Sequence, residues 1–330
     1  MAELEYGNRD NLFNAMKAKA PSGEILDLTY RLVERDPILR DVPTYPANNG
    51  ATHFGHRWLT DITPTVSVVG GGWTSSVAQG QQYDEDMVLV RSRYQCPADV
   101  LQHMGSGAAA YRDAQEGIHE KSMQRGWTST IIRGTAAGSN KLVNGMAARA
   151  PWNAITTDYC VDMGGSTNLR SMWLVNPGAA KFHLIHNPNN PTLGVKRTPK
   201  PQQLVTVTDT DANGSGKRWD EITEFEFEHG ICICENMAIK RIANNDHTAT
   251  ITAATIEKII ELRLIHDNFL DGQWFLWCDP RMFINLIKLA QTEANVIYSS
   301  DNPYRVNLPM IGDIIVRNIE ALNYDDTDIQ

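Results

Sequence analysis

Cysteine is scarce and scattered in this chain: Cys96, Cys160, Cys232, Cys234 and Cys278 are the five in 330 residues, with no CxxC pair among them. That excludes the disulfide framework of a small secreted domain and fits reduced thiols. No uninterrupted apolar run approaches the roughly 18 residues a membrane-spanning helix needs. Met1 to Glu5 has neither the basic start nor the apolar stretch of a secretion signal, so a soluble, unsecreted protein is expected. An excess of positive charge is missing too. With 30 basic against 39 acidic side chains and a formal net charge of −9, the chain as a whole is no electrostatic match for phosphate backbones, which argues against sequence-specific nucleic-acid binding. The chain also lacks a Walker loop, HExxH, GxSxG and a Rossmann fingerprint; Gly105-Ser106-Gly107 is followed by Ala110 where the third glycine should stand. Without a nucleophile, metal or phosphate motif, an enzyme is disfavoured.

What is present is enough apolar material, 42% of residues, to bury a sizeable core in one large domain or two to three lobes. Strand spacing runs through Ala51 to Arg93: Val66, Val68 and Trp73 alternate with polar residues, and Met87, Leu89, Arg91 and Arg93 alternate on the returning arm around a Gly70-Gly71-Gly72 middle. An isolated two-stranded hairpin is marginal in water, so one this long is expected to lie across its own domain or across a neighbouring subunit. Upstream, short helices are predicted over 11–16 and 24–34, and Pro37, Pro43 and Pro46 predict an extended stretch. Ala108 to Arg133, free of proline, predicts a long helix. Tyr111, Ala114 and Ile118 share one of its faces, and Met123, Trp127 and Ile131 continue as a drifting apolar stripe. Gly134 to Gly165 reads as loop. Strands are predicted at 172–177, 182–186, 203–208, 224–236, 274–277 and 310–316; helices at 255–266 and 280–291, the second capped by Asp279; and a polar tail at 324–330.

Four constellations invite a chemical reading. Asp209, Asp211, Asn213 and Gly214 match the front half of a calcium loop, but its ninth position is Lys217 and its twelfth Asp220, so a plain turn is the reading. His53 and His56 could be two metal ligands, yet no nearby cysteine completes a set and Asp61 is the one close carboxylate. Cys232 and Cys234 share one face of a strand as small buried residues, with Ile231 and Ile233 on the other. Trp274, Phe275 and Trp277 could line a pocket, and packing is the commoner use of such a run.

The order of elements, a proline-rich arm with Ile25-Leu26 and Leu32-Val33, the hairpin 51–93, the helix ending Ile131-Ile132-Arg133-Gly134, then Trp173-Leu174-Val175-Asn176-Pro177 and Glu228-His229-Gly230-Ile231, resembles the major capsid proteins of tailed bacteriophages, in the branch found in short-tailed phages. The resemblance implies an α+β chain of the Hong-Kong-97-like shell fold. It implies an N-terminal arm (1–50), an extended loop (51–93), a peripheral domain with the spine helix (94–137 and 203–250) and an axial domain (138–202 and 251–330). It further implies self-assembly into hexamers and pentamers of an icosahedral head that encloses double-stranded DNA, with scaffold, portal and cement proteins as possible partners, in a virion assembled in the host bacterial cytoplasm. Val66, Val68, Trp73, Phe13 and Leu32 become candidate inter-subunit contacts, and Arg9, Lys17 and Lys19 candidate DNA-facing residues; no catalytic, cofactor or metal residue is implied. Some members of the family join subunits by lysine-to-asparagine isopeptide bonds, and no lysine occurs from Ala51 to Arg93. The alternatives are an encapsulin-type cellular compartment and, from another class, a soluble ligand-binding protein or enzyme.

Overall fold

The computed structural model describes residues 37–330 apart from 51, 59–65, 67, 70, 73–74, 76, 78–79, 99–100, 103–107, 136–142, 157, 190–194, 208–215, 250, 266–271, 293–295, 299–308, 325, 327–328 and 330. The helices expected at 11–16 and 24–34 and the calcium-like turn at 209–214 lie outside the described residues.

Proline opens the described chain as a helix start: Pro37, whose missing N–H costs nothing at a first helical position, begins α1 (Pro37–Asp41), where an extended stretch was expected. The short strand β1 (Thr44–Pro46) follows. Next come β2 (Thr52–Trp58) and the eighteen-residue β3 (Gly80–Pro97), antiparallel from Thr52 opposite Asp86 to Trp58 opposite Gly80. A Cβ on Gly55 would lie 2.2 Å from the Tyr83 ring on the opposite strand, so any larger residue there would have to displace that ring. β3 does not end with the hairpin. From Met87 to Pro97 it pairs with β8 (Gly216–Ile233), the strand that organises the first sheet.

The rest of the chain adds β4 (Cys160–Asp162), β5 (Leu169–Val175), β6 (Phe182–His186), β7 (Lys196–Val207), β9 (Ile239–Asp246), β10 (Phe275–Cys278), β11 (Val296–Tyr298), β12 (Pro309–Ile311) and β13 (Ile314–Asn318). The first sheet runs β1-β6-β8-β3-β2, with β7 also paired to β8; the second runs β11-β12-β13-β10-β5-β9-β4. Sheet membership crosses the expected divisions at 202/203 and 250/251, since β6 lies in the first sheet and β9 in the second. β4, inside the stretch read as loop, and β9 are strands the sequence did not announce. The strand expected over 310–316 is two, folded back at Gly312, whose φ of +63° suits glycine.

The long helix falls where the sequence places it, as α2 (Ala108–Arg133), about 39 Å long. Its burial is only half as expected. Met123, Trp127, Ile131 and Ile132 are buried, but Tyr111 and Ile118 face outward, and the inward positions of the first half are Glu116 and Glu120. Glu116 earns that place by its partners: Arg112 at 3.0 Å, Arg197 at 2.9 Å, and a hydrogen bond from the Thr223 hydroxyl at 2.9 Å. A buried carboxylate is tolerable only with such compensation. Downstream, Trp127 packs edge-on against Phe227 with ring centres 5.4 Å apart, and its indole N–H donates to the His229 carbonyl at 3.2 Å. The core is continuous from this helix through Met172 to Val175 to the β10 run Phe275 to Cys278, which is packing and not a ligand pocket.

Two further helices cover the second sheet, α3 (Ala253–Leu264) and α4 (Pro280–Thr292). Asp279 caps α4 as expected, accepting from the Met282 N–H at 2.7 Å, and is also paired with Arg170 in the interior. On α3, Ile256, Ile259 and Leu262 are buried while Ile260 and Leu264 are exposed. The polar tail is docked: Asp326 N–H bonds the Leu169 carbonyl at 2.7 Å, Ile329 exchanges bonds with the Asn244 side chain, and Arg133 lies 4.2 Å over the Tyr324 ring. Among the described residues no helix is long and apolar enough to cross a membrane.

Candidate assembly surfaces

The first surface is the loop that β2 and β3 project. Because β3 is one strand through both the loop and the body sheet, the loop is a prolongation of that sheet and not a tethered flap. Beyond the paired segment, Val66 and Val68 are 94% and 83% exposed, with Val69 and Val77 similarly open. Val66 and Val68 lie outside the strands here, and Gly71 N–H closes a turn onto the Val68 carbonyl at 2.8 Å, so the alternation in this stretch does not mark a strand. Among the described residues nothing covers these four valines, which form a ready apolar contact. Trp73, Phe13, Leu32, Arg9, Lys17 and Lys19 lie outside the described residues.

A second surface is the far end of the β7–β8 hairpin, where Leu204 stands directly opposite Trp219 and both are half exposed. Sequence reasoning missed this pair; the alternation around Trp219 carried the signal, but the strand was started too late, at 224. A groove beside it is lined by Leu101, Gln102, Ala108 and Trp219. A third is the outer face of α3, with Ile260, Leu264 and Ile265 open to solvent.

Between these patches the face of the first sheet is charged in an ordered way. Arg91 meets Glu226 at 3.0 Å and Arg93 meets Glu224 at 2.6 Å across β3 and β8, while Lys200 reaches Glu224 from β7 at 3.2 Å. Hydrogen bonds from Arg93 and Lys200 hold the Glu224 carboxyl below its ordinary value. Exposed pairs of this kind contribute little stability, but they fix strand register and keep a broad sheet face from sticking.

At the root of the loop the structure gathers residues that the sequence kept apart. His53 from β2, His183 from β6 and Cys232 from β8 place a ligand-capable atom of each within 4.8 Å of the others. Cys234 adjoins the group, its sulfur 3.6 Å from that of Cys232 and 3.9 Å from His183 Nδ1. The Tyr83 hydroxyl donates to Cys234 at 3.1 Å. The hydrogen bond between the two thiols pulls Cys234 below the ordinary thiol range and pushes Cys232 above it. Burial lowers His53. The histidine that joins Cys232 is thus His53, the His56 side chain lying outside the described ones, and the reading of the two cysteines as packing alone is incomplete.

A projecting apolar loop, a body of two sheets spanned by one long helix, and no cleft with convergent catalytic groups among the described residues describe a building block. The family model for the major capsid protein GP7 matches residues 20–330. The chain belongs to that family. Its fold is similar to that of a chain in the structure of bacteriophage Epsilon15, with 18% identity, a TM-score of 0.61 and 88% of each chain covered. The capsid of bacteriophage JBD30 also aligns, at 11% identity and a TM-score of 0.41, over 86% of this chain and 89% of that one. No curated protein sequence matches. As a major capsid protein of the α+β, Hong-Kong-97-like shell fold, the chain is structural.

Proposed function

We propose that copies of this chain pack as hexamers and pentamers into an icosahedral head shell around double-stranded DNA, each extended loop lying over its neighbour. The arm 1–50 and the loop 51–93 serve as the overlapping parts. The remaining lobes pack edge to edge, peripheral around the first sheet and axial around the second. The observation that supports this reading is the loop itself: a strand shared with the body leads into a segment whose four described valines are solvent-exposed. Contacts of modest strength then multiply over a closed lattice. The net charge of −9 suits a container that must enclose DNA without gripping it along the inner wall.

Val66→Asp with Val68→Asp tests the proposal. The double variant is expected to keep the circular dichroism and melting behaviour of the parent subunit, because neither side chain is buried, while electron microscopy shows shells from the parent and none from the variant. Shells of normal size and yield from the variant, or a parent chain that sediments as a monomer or dimer under all assembly conditions, would overturn it.

A further inference from the structure

The cluster at the loop root has the composition and spacing of a metal centre. A tetrahedral zinc ion with sulfur at about 2.3 Å and imidazole nitrogen at about 2.0–2.1 Å sets its ligands apart by about 3.8 Å for two sulfurs and about 3.6 Å for sulfur and nitrogen. His53, His183 and Cys232 hold their ligand atoms within 4.8 Å of one another, and Cys234, outside that group of three, stands 3.6 Å from Cys232 and 3.9 Å from His183 Nδ1, so that a small turn of its side chain would bring it in as the fourth ligand. The backbone explains why. Cys232 and Cys234 are two apart on β8 and so project from one side of it, and His183 is the direct cross-strand partner of Cys232 on β6. Ile231 and Ile233 on the opposite side enter the main core, whereas Cys232 packs only with a small satellite group including Ala47 and Ile185. The group therefore forms a separate pocket on the other side of the sheet.

Packing alone does not account for what these side chains do there. His53 Nδ1 is buried and makes no hydrogen bond. His53 and His183 meet edge to face with ring centres 6.0 Å apart, and neither is placed to satisfy that nitrogen. A buried, unsatisfied imidazole nitrogen on a ring grouped with a thiol and a second imidazole is costly unless something accepts its lone pair. A cation would do so.

We propose that His53, His183, Cys232 and Cys234 bind one zinc ion, or another divalent cation of like softness, in a closed tetrahedral site. On binding, each thiol still protonated releases its proton to solvent and the thiolates and neutral imidazoles become the ligands. The Tyr83 hydroxyl then hydrogen-bonds the Cys234 thiolate from outside the ligand set, as supporting groups of metal sites do. Four ligands leave no open position, so the role is structural. Two sulfurs and two nitrogens select zinc over magnesium or calcium, which prefer oxygen. The consequence is mechanical: His53 belongs to the loop strand β2 and the other three to the body strands β6 and β8, so the ion staples the loop to the subunit at its root.

The test uses the full chain purified without chelator and with zinc in the medium. Metal analysis is expected to give zinc stoichiometric with subunit, and exchange for cobalt to give the intense visible bands of tetrahedral coordination together with thiolate-to-cobalt charge transfer in the near ultraviolet. Cys232→Ser and, separately, His53→Gln should abolish those bands while the circular dichroism stays native. Substoichiometric zinc with no cobalt spectrum in the parent would overturn the proposal, as would either variant retaining the parent's spectrum and affinity. So would thiol titration showing Cys232 and Cys234 joined as a disulfide in protein purified under air-free conditions.

Discussion

His229 is a buried histidine whose ionisation folding alters strongly. It stacks on Phe227 with ring centres 4.4 Å apart, and burial, with His186 nearby, drives it down to about 4 from an ordinary 6.5. Below pH 6.5 the unfolded chain takes up a proton that the folded chain refuses until about pH 4. The stabilisation is therefore complete above about pH 6.5 and is lost as pH falls toward 4, on the order of 3 kcal/mol in all. In urea titrations of the unassembled subunit at pH 7 and pH 4.5, the parent should lose stability to acid and His229→Phe should lose measurably less; equal losses would show that the ring is protonated without penalty. Trp127 offers a simpler case. With its indole wholly buried and bonded to the His229 carbonyl, Trp127→Ala should cost about 3–5 kcal/mol by chemical denaturation, and a change under about 0.5 kcal/mol would contradict that burial. Tryptophan at 127 was legible from its four-residue steps with Met123 and Ile131. Glu116 was not, since nothing local says that Arg197 and Thr223, some hundred residues on, will surround a glutamate and let it point inward.

Elements were read well where one face decided them and poorly where distant partners did. The limits of α2 follow from the glycine break before it and the residue run within it, and β10 from its unbroken apolar run. Strand β9 was missed because Ile239 to Asp246 reads Ile-Lys-Arg-Ile-Ala-Asn-Asn-Asp, with no alternation, yet its first seven residues are buried. Its polar side chains are matched from afar: Arg241 donates to Ser171 and to the Trp152 carbonyl, and Asn245 to the Arg170 carbonyl. The loop-root cluster was missed for the same reason, because its four members are spread from 53 to 234 and meet only through sheet order. The pairing of α2 with β7 and β8 can be measured directly. Glu116→Ala leaves Arg112 and Arg197 without their shared carboxylate and should cost about 3–5 kcal/mol, whereas removing the exposed Arg91–Glu226 pair should cost under about 1 kcal/mol. Comparable losses from the two would mean that the Glu116 cluster is screened by water.

For the molecule as a whole, cohesion between copies has to be non-covalent at the loop, since no lysine is available from Ala51 to Arg93 to form an isopeptide link. Particles boiled in detergent with reductant should run as a single monomer band; a ladder of covalent oligomers would refute this. What such a shell asks of each subunit is resistance to stretching, and the continuity of β3 bears on it. A pull on the loop tip along the strand axis draws β2 and β3 the same way, so their mutual hydrogen bonds carry no load. The force passes instead into the run from Met87 to Pro97 on β8. Those bonds lie across the direction of pull and are strained together in shear, not peeled open one at a time. The subunit should accordingly be stiff against outward pressure that tugs its loop lengthwise, and far weaker against a force that lifts the loop away from the sheet at one end.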